Sequence, residues 1–129
     1  MRGLERAGHV IGRDVDIDFS SVGIGIARLT ERARVLVGRS ISVIVVLSTL
    51  GAWAARRATT SIPIVMVGAA DPVEGGLVES LSQPGGNVTG LAVPSGQLVA
   101  KQIEFHLQIR PTVARVAVLW VPAHVKRKC

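Results

Sequence analysis

Two short polar segments carry the side chains best suited to hold a ligand. Ser48 and Thr49 follow one apolar run, and Ala70 and Asp71 follow the next. If both runs are parallel strands, these segments lie beyond the carboxyl ends of the strands, where open α/β sheets bind ligands. A hydroxyl there can bind a ligand or simply cap the next helix, and helix N-termini attract anions. The chemistry expected is therefore solute binding, with capping alone as an equal alternative for Ser48 and Thr49.

The residues after Asp71 have the pattern of a helix start. Asp71 suits the N-cap, Pro72 the first helical position and Glu74 the third, which together form a capping box. We expect a helix over residues 72–81, closed by Pro84-Gly85-Gly86. Its free N–H groups would face a ligand carboxylate at the mouth of the sheet. A well-made cap explains the same residue types without any ligand.

The sequence lacks the motifs of catalysis. His9, His106 and His124 are scattered, and no serine lies in a nucleophile elbow. There is no Walker loop, no Gly-x-Gly-x-x-Gly fingerprint and no metal-ligand spacing. Residues 84–87 precede a strand, which favours a turn over a phosphate cradle, and the sequon at residues 87–89 is discounted as a frequent chance match. We expect no enzymatic activity, no metal and no cofactor.

Strand and helix patterns alternate along the chain. Apolar, β-branched segments predict strands, and 3.6-residue periodicity predicts helices. The predicted strands are 14–19, a half-exposed edge strand, then 41–47, a central strand, and 62–67, 87–91 and 113–120; the predicted helices are 26–37, 51–58, 72–81 and 95–109, with a helix end at 3–8 closed by Gly8. Such alternation indicates an α/β fold with parallel pairing, a parallel-sheet α/β/α sandwich.

The composition favours a globular domain. Hydrophobic residues make up 48% of the 129 residues and charged residues 19%, so the chain can bury a core. The net charge of +6 is dispersed, apart from the terminal Lys126-Arg127-Lys128, and no aromatic residues interleave with the basic ones. We expect no nucleic-acid partner, although a small basic regulatory or nucleic-acid-binding module stays open as an alternative. The lone Cys129 excludes an internal disulfide.

The longest uncharged run, Ser40 to Ala55, raises the question of a membrane. It is shorter than the roughly 20 apolar residues that a span needs and contains polar residues. We interpret it as a buried strand followed by a helix start, with a membrane-associated small protein as a further alternative. Residues 1–13 contain no apolar signal-peptide core, which favours a cytoplasmic location for the chain as given.

Several motifs together resemble a known family. The chain is similar to the tryptophan/tyrosine-type substrate-binding proteins of ABC transporters, which have the type I periplasmic-binding-protein fold. The matching segments run to about Pro122, and the most specific part runs from Asp71-Pro72-Val73 to Asn87-Val88-Thr89-Gly90. The other matching segments are 1–4, 8–12, 61–66 and 115–120.

The resemblance implies two lobes that close on a solute, with an ABC permease as partner and a periplasmic location. Residues 1–92 would form the N-terminal lobe, residues 93–122 the hinge and first helix–strand unit of the second lobe, and residues 123–129 a basic tail without a match. Solute-binding residues would be Ser48, Thr49, Ala70 and Asp71, and hinge residues Thr89, Gly90 and Leu91. The solute would be an aromatic amino acid or a related small molecule.

The departures from the family pattern indicate a truncated form. The resemblance implies a first strand, central in the lobe between the strands near Val15 and Val43, which this sequence lacks. An apolar gap and unpaired backbone groups are then expected beside it. Most of the second lobe is also missing, so we expect the isolated chain to bind solute weakly or not at all.

Overall fold

The computed structural model describes residues 2–21, 25–112 and 115–117. The helices are α1 (Arg2–Arg6), α2 (Ile26–Val37), α3 (Thr49–Ala58) and α4 (Ser95–Ile109); the strands are β1 (Ile44–Val46), β2 (Ile64–Ala70) and β3 (Val88–Val93).

The strands form a parallel sheet in the order β1-β2-β3. Ile44 lies opposite Ile64, and Ile64 lies opposite Val88, so the strand starts are aligned. Parallel strands need crossover connections, and α3 supplies the one between β1 and β2. The α/β class with a parallel sheet, predicted from the alternating pattern, is confirmed.

The core lies between one face of the sheet and α3. Ile64, Met66 and Val88 point to this face and are almost fully buried, and they pack with Ala52 and Ala55 of α3. The small alanines let the helix approach the sheet closely. Helix α2 packs against α3, burying Thr30 and Ala33. Side chains of the opposite parity lie on the other face, where Val45 is 60% and Leu91 69% exposed.

Gly90 permits the close pairing of β2 and β3. Its φ of 133° is a conformation that side chains rarely adopt. A Cβ built at this position would lie 2.8 Å from the backbone nitrogen of Met66 and 2.9 Å from its carbonyl carbon, well inside contact distance. Only glycine fits here without a shift of the backbone.

The prediction of a helix over 72–81 is wrong. The segment makes a single turn, in which the Gly75 N–H bonds to the Asp71 carbonyl. It is then closed by a Schellman-type pair of bonds, from the Gly76 N–H to Val73 and from the Leu77 N–H to Pro72, with Gly76 at φ 71°. The paired glycines stop the helix after one turn, before Pro84-Gly85-Gly86 is reached.

Two strand predictions also need correction. Residues 14–19 form no strand beyond one isolated bridge between Ile11 and Val15, and Phe19 is 73% exposed. No described strand lies beside them to complete a ladder. The segment 41–47 shortens to β1, which is an edge strand rather than a central one, and Leu47 is 79% exposed.

The last predicted strand lies mostly outside the described residues. Of 113–120, only 115–117 are described; they have no regular structure, and Val116 is 53% exposed. The helices predicted at 26–37, 51–58 and 95–109 are confirmed, as is the helix end at Gly8, whose φ is 84°. The uncharged run at 40–55 divides between β1 and α3, as interpreted. In the part of the chain that the structure describes, no helix is long and apolar enough to cross a membrane.

Candidate functional site

The carboxyl edge of the sheet is built first from the start of α3. Ser48 has extended backbone angles and its Oγ accepts a hydrogen bond from the Gly51 N–H at 3.1 Å, the geometry of an N-cap. Thr49 begins the helix, and its Oγ1 accepts from the Ala70 N–H at 2.9 Å. The second bond joins the loop after β1 to the end of β2, so two of the predicted segments do meet.

These bonds determine what the hydroxyls can offer to a ligand. Each oxygen accepts from a backbone N–H, and a hydroxyl that accepts in this way still has its own hydrogen to donate. Ser48 is exposed and Thr49 half-buried. The start of α3 therefore supplies hydroxyl donors beside the positive end of a helix dipole, which suits a carboxylate or another anion.

Asp71 completes the edge in a way the sequence did not indicate. The predicted capping box is wrong, because the Asp71 carboxylate does not cap its own segment. Its Oδ2 accepts instead from the Gly96 N–H at 3.1 Å, at the start of α4, and the Asp71 N–H donates to the Val93 carbonyl at 3.1 Å. Asp71 is half-buried with φ 42°. It places a negative group at the same edge of the sheet as the hydroxyl donors of α3.

A bulge in β2 helps to place these residues. The pairing with β3 shifts between Val67 and Ala69, and Gly68 between them has φ 74°. The bulge turns Ala69 into the core and brings Ala70 to the bond with Thr49. A glycine inside a strand pattern is the signal that could have predicted this bulge.

The predicted hinge residues lie within β3. Thr89, Gly90 and Leu91 pair with Val65, Met66 and Val67. The chain leaves the sheet after Val93, and α4 begins at Ser95. A hinge role for Thr89, Gly90 and Leu91 stays a prediction.

The other motifs of the sequence have structural roles or lie elsewhere. The Asn87 amide donates to the carbonyls of Thr59 and Ile62, at 3.2 and 2.8 Å, so this sequon residue secures the loop before β2. Two arginines in and after α2 have carboxylate partners: Arg34 pairs with Glu31, and Arg39 pairs with Asp18 at 2.7 Å. Among the described residues, no group of three potential metal ligands occurs. The basic tail lies outside the described residues.

The described part of the chain is a parallel α/β sheet whose carboxyl edge offers hydroxyl donors from one loop and a carboxylate from the next. Open α/β sheets bind ligands at this edge. Comparison with known proteins gives the family. The model of the ABC transporter substrate binding protein family matches residues 1–128, and the chain belongs to that family. Members of this family are binding proteins rather than enzymes.

Individual relatives agree with this assignment. A tyrosine-binding protein of Clostridioides difficile (strain R20291) is 33% identical over 99% of this chain. A conserved domain protein of Vibrio cholerae has a similar structure, with a TM-score of 0.77 and 36% identity over 87% of the chain. The ABC domain of Streptococcus pneumoniae in complex with L-Trp has a TM-score of 0.66 and 31% identity over 70% of the chain.

The chain spans only part of the length of these proteins. It covers 36% of the curated relative, 37% of the Vibrio cholerae chain and 30% of the Streptococcus pneumoniae chain. What it contains is the sheet edge described above and the crossing to α4. The activity of a whole family member is therefore a proposal for this chain.

Proposed function

We propose that the carboxyl edge of this sheet is one wall of a solute-binding cleft, and that the solute is an aromatic amino acid or a related small molecule. The observation that carries the proposal is that the Ser48 and Thr49 hydroxyls and the Asp71 carboxylate lie at the same edge of the sheet, where Thr49 bonds to Ala70, the residue before Asp71. The solutes of the relatives support the chemical class, since one relative is a tyrosine-binding protein and a similar structure holds L-Trp.

The charges at this edge suit a zwitterion in one orientation. Hydroxyl donors at the start of α3 suit the solute carboxylate. Oδ1 of Asp71, the oxygen that does not accept from Gly96, suits the ammonium group. Asp71 also counts against a carboxylate at the start of α4, because it already places a negative charge there.

The proposal extends to the domain organisation, the partner and the location. Residues 1–92 belong to one lobe and residues 93–122 to the crossing and the first unit of a second lobe, with Thr89, Gly90 and Leu91 in the hinge region. Residues 123–129 are a basic segment, and the family match extends through it to residue 128. A permease subunit of an ABC transporter is the partner, and the site of action is periplasmic or extracellular.

Affinity in such proteins depends on closure of two lobes around the solute. A single wall leaves the other side of the solute in water, so we expect binding no tighter than the order of millimolar. Calorimetry with a panel of L-amino acids tests this expectation. Micromolar affinity for the isolated chain would contradict it.

Solute analogues test the proposed orientation. L-tryptophan is compared with tryptamine, which lacks the carboxylate, and with indole-3-propionate, which lacks the ammonium group. Weak binding is measured by ligand-observed NMR. We expect L-tryptophan to bind best and the Thr49→Val variant to bind L-tryptophan less well, because a hydroxyl donor is lost. Equal binding of all three compounds would contradict recognition of a zwitterion.

A further inference from the structure

The start of α4 lacks a capping side chain from its own neighbourhood. The residue at its N-cap position is Pro94, whose side chain has no hydrogen-bond acceptor. The first N–H groups of a helix need acceptors from outside the helix, and the first bond within this one runs from the Leu98 N–H to the Pro94 carbonyl at 3.2 Å. The crossing from β3 to α4 would therefore be poorly defined if it depended on local residues alone.

We propose that Asp71 is a positioning residue that fixes the crossing from β3 to α4. It makes a bond on each side of Pro94: its N–H donates to Val93, and its carboxylate accepts from Gly96, 25 residues further along the chain. A carboxylate at a helix N-terminus interacts favourably with the helix dipole, and its hydrogen bond is charge-assisted. The two bonds connect the end of β2 to residues 93–96 and thereby fix the direction in which the chain leaves the sheet.

The residue type suits this role in two ways. The left-handed backbone at Asp71 is costly for most side chains, whereas aspartate and asparagine tolerate it. The side chain is also short enough for its Oδ2 to lie near the backbone of Gly96. A Cβ added to Gly96 would lie 3.8 Å from this oxygen. Glycine at this position would adopt the left-handed backbone but could not accept the hydrogen bond. Glutamate would supply the charge but would not tolerate the backbone angle.

The link to solute capture rests on the proposed function. In that account Asp71 lies in the solute-binding wall, and α4 leads into the second lobe. The Asp71 side chain then connects the solute-binding wall to the crossing, because one carboxylate oxygen contacts the solute and the other accepts from α4. The role of Asp71 at the crossing can be tested without any solute. If that role is disproved, the proposed function is unaffected.

Amide hydrogen exchange of the ¹⁵N-labelled chain tests the proposal. In Asp71→Ala, the exchange of the Gly96 amide should accelerate about tenfold, as expected for loss of one charge-assisted bond. The Ile64 amide in the core, bonded to the Asn87 carbonyl at 2.7 Å, should exchange as before. Asp71→Asn keeps an acceptor and tolerates the backbone angle, so it should restore most of the protection. The matched control is Glu74→Ala, which removes an exposed carboxylate from the same loop.

Unchanged Gly96 exchange in Asp71→Ala would overturn the proposal, and so would equal acceleration at Gly96 and Ile64, which would indicate general destabilisation. If Asp71→Ala does not fold, the unmodified chain decides. A scalar coupling through the hydrogen bond, between the Gly96 amide nitrogen and the Asp71 carboxyl carbon, should be detectable by NMR. Absence of this coupling, while the coupling between the Ile64 amide and the Asn87 carbonyl is detected, would contradict the bond.

Discussion

The two edges of the sheet use their polar side chains differently. At the amino edge, Thr59 is buried and its Oγ1 accepts from the Ser61 and Ile62 N–H groups, while the Asn87 amide donates to two carbonyls of the same loop. At the carboxyl edge, Ser48 and Thr49 each accept one bond and keep a hydrogen to donate. The polar side chains of the amino edge bond to their own loop, whereas the hydroxyls of the carboxyl edge each keep a donor for a further partner.

The difference explains why function is expected at only one edge. Parallel strands bring all loops of one kind to the same side, and the helices that follow them begin there. Hydroxyls and carboxylates at the carboxyl edge therefore lie beside helix starts, whereas those at the amino edge lie beside loops whose carbonyls they must satisfy.

The largest expected change in stability is at Gly90, which permits the close pairing of β2 and β3. Gly90→Ala should destabilise the chain by about 3 kcal/mol, because the added methyl group meets the Met66 backbone and φ is unfavourable. Urea unfolding measures this change. The control is Gly86→Ala, where a built Cβ meets nothing within 4 Å and φ is not positive. Equal stability of the two variants would show that β2 and β3 do not pair as described.

The next effect is at the amino edge. Asn87→Asp replaces the amide nitrogen, with its two N–H donors, by one oxygen that faces the carbonyls of Thr59 and Ile62, so the free energy of unfolding should fall by about 2 kcal/mol. Gln83→Glu makes the same chemical change at an exposed side chain and should alter it by less than about 0.5 kcal/mol. Solute binding per folded molecule should not change in either variant, and a loss specific to Asn87→Asp would break the distinction between the edges.

The smallest effect on stability is at the carboxyl edge. Thr49→Val keeps the shape of the side chain but removes the acceptor of the Ala70 N–H, which should cost about 1 kcal/mol in the free energy of unfolding. Thr60→Val, at an exposed threonine of the amino edge, is the control. Only Thr49→Val should also weaken the binding of L-tryptophan. If both variants bind equally well, the Thr49 hydroxyl has a structural role alone.

The sequence predicted the elements that depend on local pattern. Helices α2, α3 and α4 follow from apolar periodicity, and the parallel sheet follows from β-branched runs between them. It failed where a distant partner decides. Asp71, Pro72 and Glu74 have the residue types of a capping box, but Gly75 and Gly76 end the helix after one turn and the carboxylate bonds to Gly96.

The prediction of an edge strand at residues 14–19 was wrong for the same reason. The alternation in residues 14–19 is typical of a strand, but a strand also needs a hydrogen-bonding neighbour, and none of the described strands lies beside this segment. The meeting of the Thr49 and Ala70 segments at the carboxyl edge was predicted, because it depends only on topology; the role of this edge in solute binding stays a prediction. The hydrogen bond between Thr49 and Ala70 was not predicted, because a bond between residues 21 apart in the sequence leaves no local signal.

The central claim is that the carboxyl edge is the solute-binding edge. Its most direct test is an amide chemical-shift titration of the ¹⁵N-labelled chain with L-tryptophan, up to concentrations on the order of millimolar. The account predicts shifts concentrated at residues 48–51 and 70–71, with residues 59–62 and 87–88 unaffected. Shifts concentrated at the amino edge instead would contradict it.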